Sequence, residues 1–144
     1  MTSDSATLLT AVNNHLVYMQ VKIDTREKFH AITILDAVLA ANMTEALEQS
    51  LLPFLQKEVK NVVLILKDIS EVDDAAAECL VRIQQRFYDE SASFVICELT
   101  PEVEKSLEDS GLLELMNVTP TESEAWDIVH LEEVERELLN GPDC

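Results

Sequence analysis

Two adjacent carboxylates, Asp73 and Asp74, are the residues whose types and spacing best suit a chemical role. They stand directly before an apolar stripe at helical spacing, formed by Leu80, Ile83 and Phe87. Carboxylates in the first turn of a helix complement the positive end of the helix dipole. The pair therefore predicts the negatively charged start of a helix.

The other side chains that could do chemistry are dispersed along the chain. They are His15, His30, His130, Cys79, Cys97 and Cys144. The cysteines show no CxxC spacing, so neither a disulfide framework nor a zinc site is indicated. Only two glycines occur, which leaves no glycine-rich loop for a nucleotide phosphate, and no Gly-x-Ser-x-Gly elbow is present. We therefore expect no enzyme activity, no metal and no cofactor, and we place Cys79 and Cys97 in the core.

The charge balance narrows the classes of partner. The 144 residues include 28 Asp and Glu against 10 Lys and Arg, for a net charge of -18. Such a charge repels nucleic-acid phosphates and anionic lipid surfaces. No stretch approaches the roughly 18 consecutive apolar residues of a membrane span, and the first residues lack the basic region of a signal peptide. We expect a soluble cytoplasmic protein that binds neither nucleic acid nor membrane.

The elements that must position the acidic pair begin with a predicted antiparallel hairpin, with strands at 15–23 and 29–35. A first helix of about four turns follows, in which Asn42 and Glu45 resemble a capping box. Pro53 should kink this helix because proline removes an internal amide. Residues 62–66 are a continuous apolar run, which predicts a central strand buried on both faces.

Strands and helices alternate in the second half of the chain. The second helix is followed by a strand at 93–99 and by a third helix with Thr100 as its N-cap and Pro101 in first position. That helix should end at Gly111 through a left-handed C-cap. A short strand at 113–118 leads to Thr119-Pro120-Thr121-Glu122, which resembles another capping box, and to a last helix that runs to about residue 139.

This order predicts an α/β fold with a mixed sheet of four to five strands and about four helices. The first and second helices should pack on one face of the sheet, with Leu64, Leu80 and Phe87 buried. We divide the chain into an N-terminal segment at 1–14, one domain at 15–139 and a flexible tail at 140–144.

Residues 61–129 together resemble the core of a STAS domain, the family that includes bacterial anti-sigma factor antagonists. The resemblance rests on the order and spacing of several segments. These are Val62-Val63-Leu64-Ile65-Leu66, Asp68-Ile69-Ser70-Glu71-Val72-Asp73, Phe94-Val95-Ile96-Cys97, Thr100-Pro101-Glu102-Val103, Ser110-Gly111-Leu112 and the acidic start of the last helix from Thr119 to Ala125. The match is weaker before residue 48, where Ala37-Val38-Leu39-Ala40 replaces a Gly-Glu-Leu-Asp-like turn. The resemblance implies a STAS-like fold and a protein-binding role.

The phosphorylation motif of the family is degenerate in this chain. Family members that are switched by phosphorylation carry Asp-Ser-Ser-Gly or Asp-Ser-Thr-Gly at the start of the second helix, and the first serine accepts the phosphate. The four positions here read Asp73-Asp74-Ala75-Ala76. Phosphorylation at the usual position is therefore not expected, unless Ser70 replaces it.

Asp74 allows two interpretations. A carboxylate carries one negative charge where a phosphoserine would carry about 1.5 to 2, so Asp74 is a candidate mimic of the phosphorylated state. Alternatively, Asp74 only caps the helix and complements its dipole. The two interpretations are compatible.

The resemblance implies a regulatory module in signalling and transcription, which binds a serine-kinase anti-sigma factor or other STAS proteins; a homodimer is compatible with this role. The partner-binding residues it implies are Asn42, Ser70, Asp73, Asp74, Ala75 and Glu78. A second hypothesis is a STAS subunit of a lipid or anion transport complex, or a ligand-binding STAS module. The missing serine fits both hypotheses.

Overall fold

The computed structural model describes residues 2–12 and 15–139, with side chains from residue 19 onward. These residues form strands β1 (Thr2–Val12), β2 (His15–Thr25), β3 (His30–Ile34), β4 (Val38–Leu39), β5 (Val62–Ile65), β6 (Glu71–Val72), β7 (Phe94–Cys97) and β8 (Val118–Thr119). The α-helices are α1 (Thr44–Leu51), α2 (Asp74–Asp89), α3 (Pro101–Asp109) and α4 (Glu122–Leu139). The tail predicted at 140–144 lies outside the described residues.

The main sheet has six strands in the order β1-β2-β3-β5-β7-β8. Its first three strands are antiparallel, which confirms the predicted hairpin, and the pairs from β3 to β8 are parallel. Every residue of β5 is buried, because this strand lies between β3 and β7 and is covered on both faces. The predicted α/β class and the central strand are confirmed.

The first strand was not predicted. Residues 2–12 belong to the N-terminal segment predicted at 1–14. They pair with β2, from Thr2 opposite Thr25 to Val12 opposite His15. The sheet therefore has one strand more than the four to five expected. The polar residues of this segment do not alternate regularly with apolar ones, so only its pairing with β2 reveals it as a strand.

The helices divide between the two faces of the sheet. Buried residues of α1, α2 and α3 form one core with one face of the strands, and Ala125 and Val129 of α4 form a smaller core on the other. Leu64, Leu80 and Phe87 are all buried, as predicted. The Phe87 ring contacts that of Phe94, with 5.1 Å between the ring centroids.

The start and the end of the first helix differ from the prediction. A 3₁₀ turn at Ala41–Met43 comes first, and α1 begins at Thr44 with no side-chain cap, so the capping box expected from Asn42 and Glu45 is wrong. The α-helix ends at Leu51 and continues as a 3₁₀ turn that contains Pro53. Proline lacks an amide hydrogen and clashes with the preceding turn, which explains why the regular helix stops there.

The boundaries of α3 agree with the prediction, whereas the capping box predicted at the start of α4 is wrong. Helix α4 begins at Glu122, and the Thr121 hydroxyl, not that of Thr119, accepts a hydrogen bond from the Glu124 amide, at 3.2 Å. The Thr100 hydroxyl caps α3, accepting a hydrogen bond from the Val103 amide at 3.4 Å, and Pro101 occupies the first position. Gly111 has a φ of 79°, the left-handed conformation that ends α3. In the strand expected at 113–118, Leu113–Leu115 form a 3₁₀ turn, and only the last residue joins the sheet, as part of the strand Val118–Thr119.

Candidate functional site

The start of α2 lies beside the loop that precedes α1, because two short strands join them. Strands β4 and β6 are parallel, with Val38 opposite Glu71 and Leu39 opposite Val72. The side chains of Leu39 and Val72 are buried, which anchors this two-residue ladder in the core. The ladder brings together two segments that are about thirty residues apart in the sequence.

Asp73 is the residue that ties the two segments at the helix start. Its Oδ1 accepts a hydrogen bond from the Asp74 amide at 3.0 Å, and its Oδ2 accepts one from the Ala41 amide at 3.3 Å. Its own amide donates to the Leu39 carbonyl at 2.8 Å. Asp73 therefore caps α2 and holds the α1 loop against it.

Ser70 makes a second connection between the same segments. Its amide and its hydroxyl both donate to the Ala37 carbonyl, at 2.8 Å and 3.1 Å. The neighbouring Ile69 is fully buried, and its carbonyl accepts a hydrogen bond from the Thr100 hydroxyl at 3.0 Å. Ser70 is exposed, but its hydroxyl is held against the protein.

Asp74 occupies the first helical position of α2 and not the cap. This corrects the interpretation of Asp74 as the capping residue, because the carboxylate that caps the helix belongs to Asp73. Asp74 is exposed, and within the described part of the chain its side chain has no hydrogen-bond or ion-pair partner. Its effect on the helix is therefore limited to the dipole.

The structure places the six predicted residues at exposed positions around one helix start. Ala75 follows Asp74, Glu78 lies one turn further along α2, and Asn42 follows Ala41 in the 3₁₀ turn that Asp73 holds. We call this set the α2 surface; its members are Asn42, Ser70, Asp73, Asp74, Ala75 and Glu78.

Sequence reasoning missed three exposed contributors to this surface, Val38, Ala41 and Glu71. They flank or belong to the β4–β6 ladder, whose strands have two residues each. Such short strands have too few residues to show an alternating pattern. The sequence offers one indication among the three, which is that Glu71 lies within a segment that resembles the STAS family.

The thiols nearest to the α2 surface are unsuited to nucleophilic chemistry. Cys79 of α2 is buried, and burial raises the pKa of its thiol to about 11. Burial likewise raises the pKa of Cys97, at the end of β7, to about 12. The prediction that both are core residues is confirmed.

The α2 surface carries carboxylates but no metal-binding set. Asp73, Asp74 and Glu78 are joined by Glu71 from the ladder, and all four side chains are exposed. Among the residues with described structure, no group of three or more His, Cys, Asp or Glu could hold a metal ion. The arrangement suits the binding of a macromolecule through charge, because its carboxylates are exposed at a helix start.

The molecule is thus a small α/β domain with an exposed, acidic helix start beside a short parallel ladder. The family model of the STAS domain matches residues 20–125. This match spans more than half of the chain, and the chain belongs to the STAS domain family. The predicted fold and family resemblance are both confirmed.

Solved structures with the same fold include regulators and part of a transporter. An anti-sigma factor antagonist from Mycobacterium paratuberculosis is 13% identical, with a TM-score of 0.67, and the match covers 84% of this chain and 99% of that one. The anti-sigma factor antagonist SpoIIAA in its unphosphorylated form is 18% identical, with a TM-score of 0.60 and coverage of 76% and 96%. A murine solute carrier anion transporter is 12% identical, with a TM-score of 0.61, and this chain spans 90% of its own length but only 22% of the transporter.

A search of curated protein sequences returned no significant relative. Among the residues that the structure describes, no helix combines the length and the apolar character needed to cross a membrane.

Proposed function

We propose that this chain is a non-catalytic regulatory module that binds a protein partner through the α2 surface, in the manner of a cytoplasmic bacterial anti-sigma factor antagonist. The partner is a serine-kinase anti-sigma factor or another STAS protein. Family membership and the fold shared with solved antagonists support the coarse assignment. The observation that carries the proposal is that one exposed helix start brings the six implied residues together.

Asp74 is the residue that should set the affinity of this surface. Its carboxylate is exposed and makes no hydrogen bond or ion pair within the described residues, so it is accessible to a partner. Since Asp73 already caps the helix, capping does not require Asp74. This leaves its charge available to imitate part of a phosphoserine, and we propose that it weakens the binding of a kinase that carries an anionic nucleotide.

A kinase should not phosphorylate the chain at position 74. Phosphoryl transfer to a serine needs a hydroxyl as nucleophile, and a carboxylate at that place offers none and adds charge repulsion. Ser70 is the other hydroxyl on the α2 surface, but it donates to the Ala37 carbonyl and is thereby turned toward the protein. The proposed state of the surface is permanently unphosphorylated at the usual position.

The test compares wild type with Asp74→Ser against the serine kinase encoded nearest the gene. Removing one unfavourable charge should tighten binding by about 5- to 150-fold, which corresponds to about 1 to 3 kcal/mol. The serine variant should also accept phosphate in a kinase assay, whereas wild type should not. Calorimetry and mass spectrometry measure the two effects.

A matched control variant distinguishes the effect of a charge at position 74 from the effect of the net charge. Asp127→Ser removes an equivalent exposed carboxylate from α4, a helix on the other face of the sheet. This variant should bind the kinase like wild type. Equal affinities for wild type and Asp74→Ser would leave charge mimicry without support, and absence of binding by all three proteins would overturn the proposed partner.

A second candidate is a STAS subunit of a transport complex, or a ligand-binding STAS module. The observation in its favour is the fold that the chain shares with part of an anion transporter. Such a subunit needs no phosphate-accepting serine, which agrees with the presence of Asp74 at that position. Stable copurification with a transporter permease encoded beside the gene, with no affinity for the kinase, would select this candidate.

A further inference from the structure

The main sheet ends in two very different edges. At one edge lies β8, a strand of two residues that is followed directly by Pro120. At the other lies β1, with eleven residues, which pairs with β2 on one side and with no other strand of the described chain on its outer side. The backbone amides and carbonyls along the outer side of an edge strand are free to pair with another strand.

Strand β1 lacks several of the devices with which proteins protect such an edge. Those devices are short length, charged residues or proline on the edge, inward charges, bulges and a covering helix or loop. The sequence Thr-Ser-Asp-Ser-Ala-Thr-Leu-Leu-Thr-Ala-Val contains no lysine, arginine or proline, and Asp4 is its single charged residue. Its register with β2 runs without interruption from Thr2 to Val12, so it contains no bulge. The edge β8 is blunted by its length and by Pro120, whereas β1 is long and regular. Helix α1 contacts β1, but no described strand pairs with the outer side of β1.

Charge indicates which occupant fits this edge. Two copies of a chain with a net charge of -18 repel each other over most of their surfaces. Strand β1 is an exception to this repulsion, because only one of its eleven residues is charged. An antiparallel pairing of two β1 strands about a twofold axis at Thr7 places Asp4 of each copy opposite Thr10 of the other. This register keeps the two aspartate positions apart, so that like charges do not oppose the pairing.

We infer that β1 is a dimerisation edge, where two copies of this chain join their six-stranded sheets through antiparallel β1–β1 pairing. A twofold axis makes the contact isologous, so that it closes with two copies and does not propagate into a filament. No residue of β1 belongs to the α2 surface. The inference therefore goes beyond the proposed function, and each copy keeps its α2 surface for a partner.

The experiment measures the mass of the full chain by sedimentation or light scattering over a wide range of concentration. Wild type should approach twice its chain mass of 16.2 kDa. Thr7→Lys should weaken dimerisation at least about tenfold, because two lysines would face each other across the axis. A wild-type protein that stays monomeric up to about 200 µM, well above an ordinary micromolar dissociation constant, would overturn the inference.

The matched control is Gln20→Lys. Gln20 is the register partner of Thr7 on the inner strand β2 and is exposed. Both variants make the net charge less negative, so a general charge effect would strengthen association in both. We expect Gln20→Lys to dimerise like wild type. A dimer that survives Thr7→Lys, or one that both variants abolish, would exclude β1 as the contact.

Hydrogen exchange gives a second measurement that does not depend on a variant remaining folded. In the wild-type dimer, amides of β1 should exchange more slowly as the concentration rises, since pairing protects the outer side of the strand. Amides of β8 should not change. Concentration-dependent protection elsewhere, with none in β1, would place the contact on another surface.

Discussion

At the scale of single residues, two adjacent aspartates at the start of α2 have different roles. The carboxylate of Asp73 accepts two backbone hydrogen bonds, from Asp74 and Ala41, whereas that of Asp74 is exposed. The difference follows from position, because only the residue before the first helical turn can cap it. Asp73 is thus part of the frame of the α2 surface, and Asp74 is the part that a partner can reach.

This difference predicts unequal losses of stability when each aspartate is changed to alanine. Asp73→Ala should lower the free energy of unfolding by about 1 to 2 kcal/mol, since it removes a cap and a link between two loops. Asp74→Ala should lower it by about 0.5 kcal/mol or less, because only a dipole interaction is lost. Urea unfolding of both variants checks the prediction. Equal losses of stability in the two variants would mean that both aspartates cap the helix.

At the scale of elements, α2 joins the docking surface to the core. Its first turn carries Asp74 and Ala75 at the surface, while Leu80, Ile83 and Phe87 are buried against the sheet. The helix start is therefore held in place by burial further along the same helix. A rigid helix start preserves the shape of the α2 surface before binding, which reduces the entropic cost of association.

Phe87→Ala should therefore destabilise the domain strongly. The side chain is fully buried and packs on the ring of Phe94, so truncation should cost about 3 to 5 kcal/mol. The neighbouring Tyr88 is 67% exposed, and Tyr88→Ala should cost less than about 1 kcal/mol. Thermal or chemical unfolding of the two variants provides the comparison. Similar losses in both would contradict the placement of α2.

At the scale of the whole molecule, charge and architecture together restrict what can bind. The net charge of -18 opposes polyanions, and the described residues include no metal-binding cluster. With only two glycines, the chain has no phosphate-binding loop. A protein partner that presents basic or neutral surface is favoured over nucleotides or nucleic acid.

Calorimetric titration with ATP, GTP and Zn²⁺ should accordingly show no binding, and none of the three should raise the melting temperature. The reason is that the sequence contains no glycine-rich phosphate-binding motif and that the described positions include no group of residues that could hold a metal ion. A dissociation constant below about 10 µM, which corresponds to about -7 kcal/mol, would reveal a site that this reasoning misses.

The sequence by itself determined the α/β class, the central strand, and the start of α2, because long periodic patterns and continuous apolar runs report burial locally. It also located the acidic pair and the absence of a serine at position 74. Helix boundaries marked by strong local signals, Thr100 and Gly111, were predicted for the same reason. The capping box at Asn42 was wrong, since a 3₁₀ turn comes first there.

Only the tertiary structure decided which aspartate caps α2, because the choice depends on where the Ala41 amide lies, and Ala41 reaches Asp73 through the β4–β6 ladder. It likewise decided that residues 2–12 form the edge of the sheet. Both features arise from pairing between backbone segments. Hydrogen bonds between strands involve groups that every residue possesses, so they leave little trace in the amino-acid sequence.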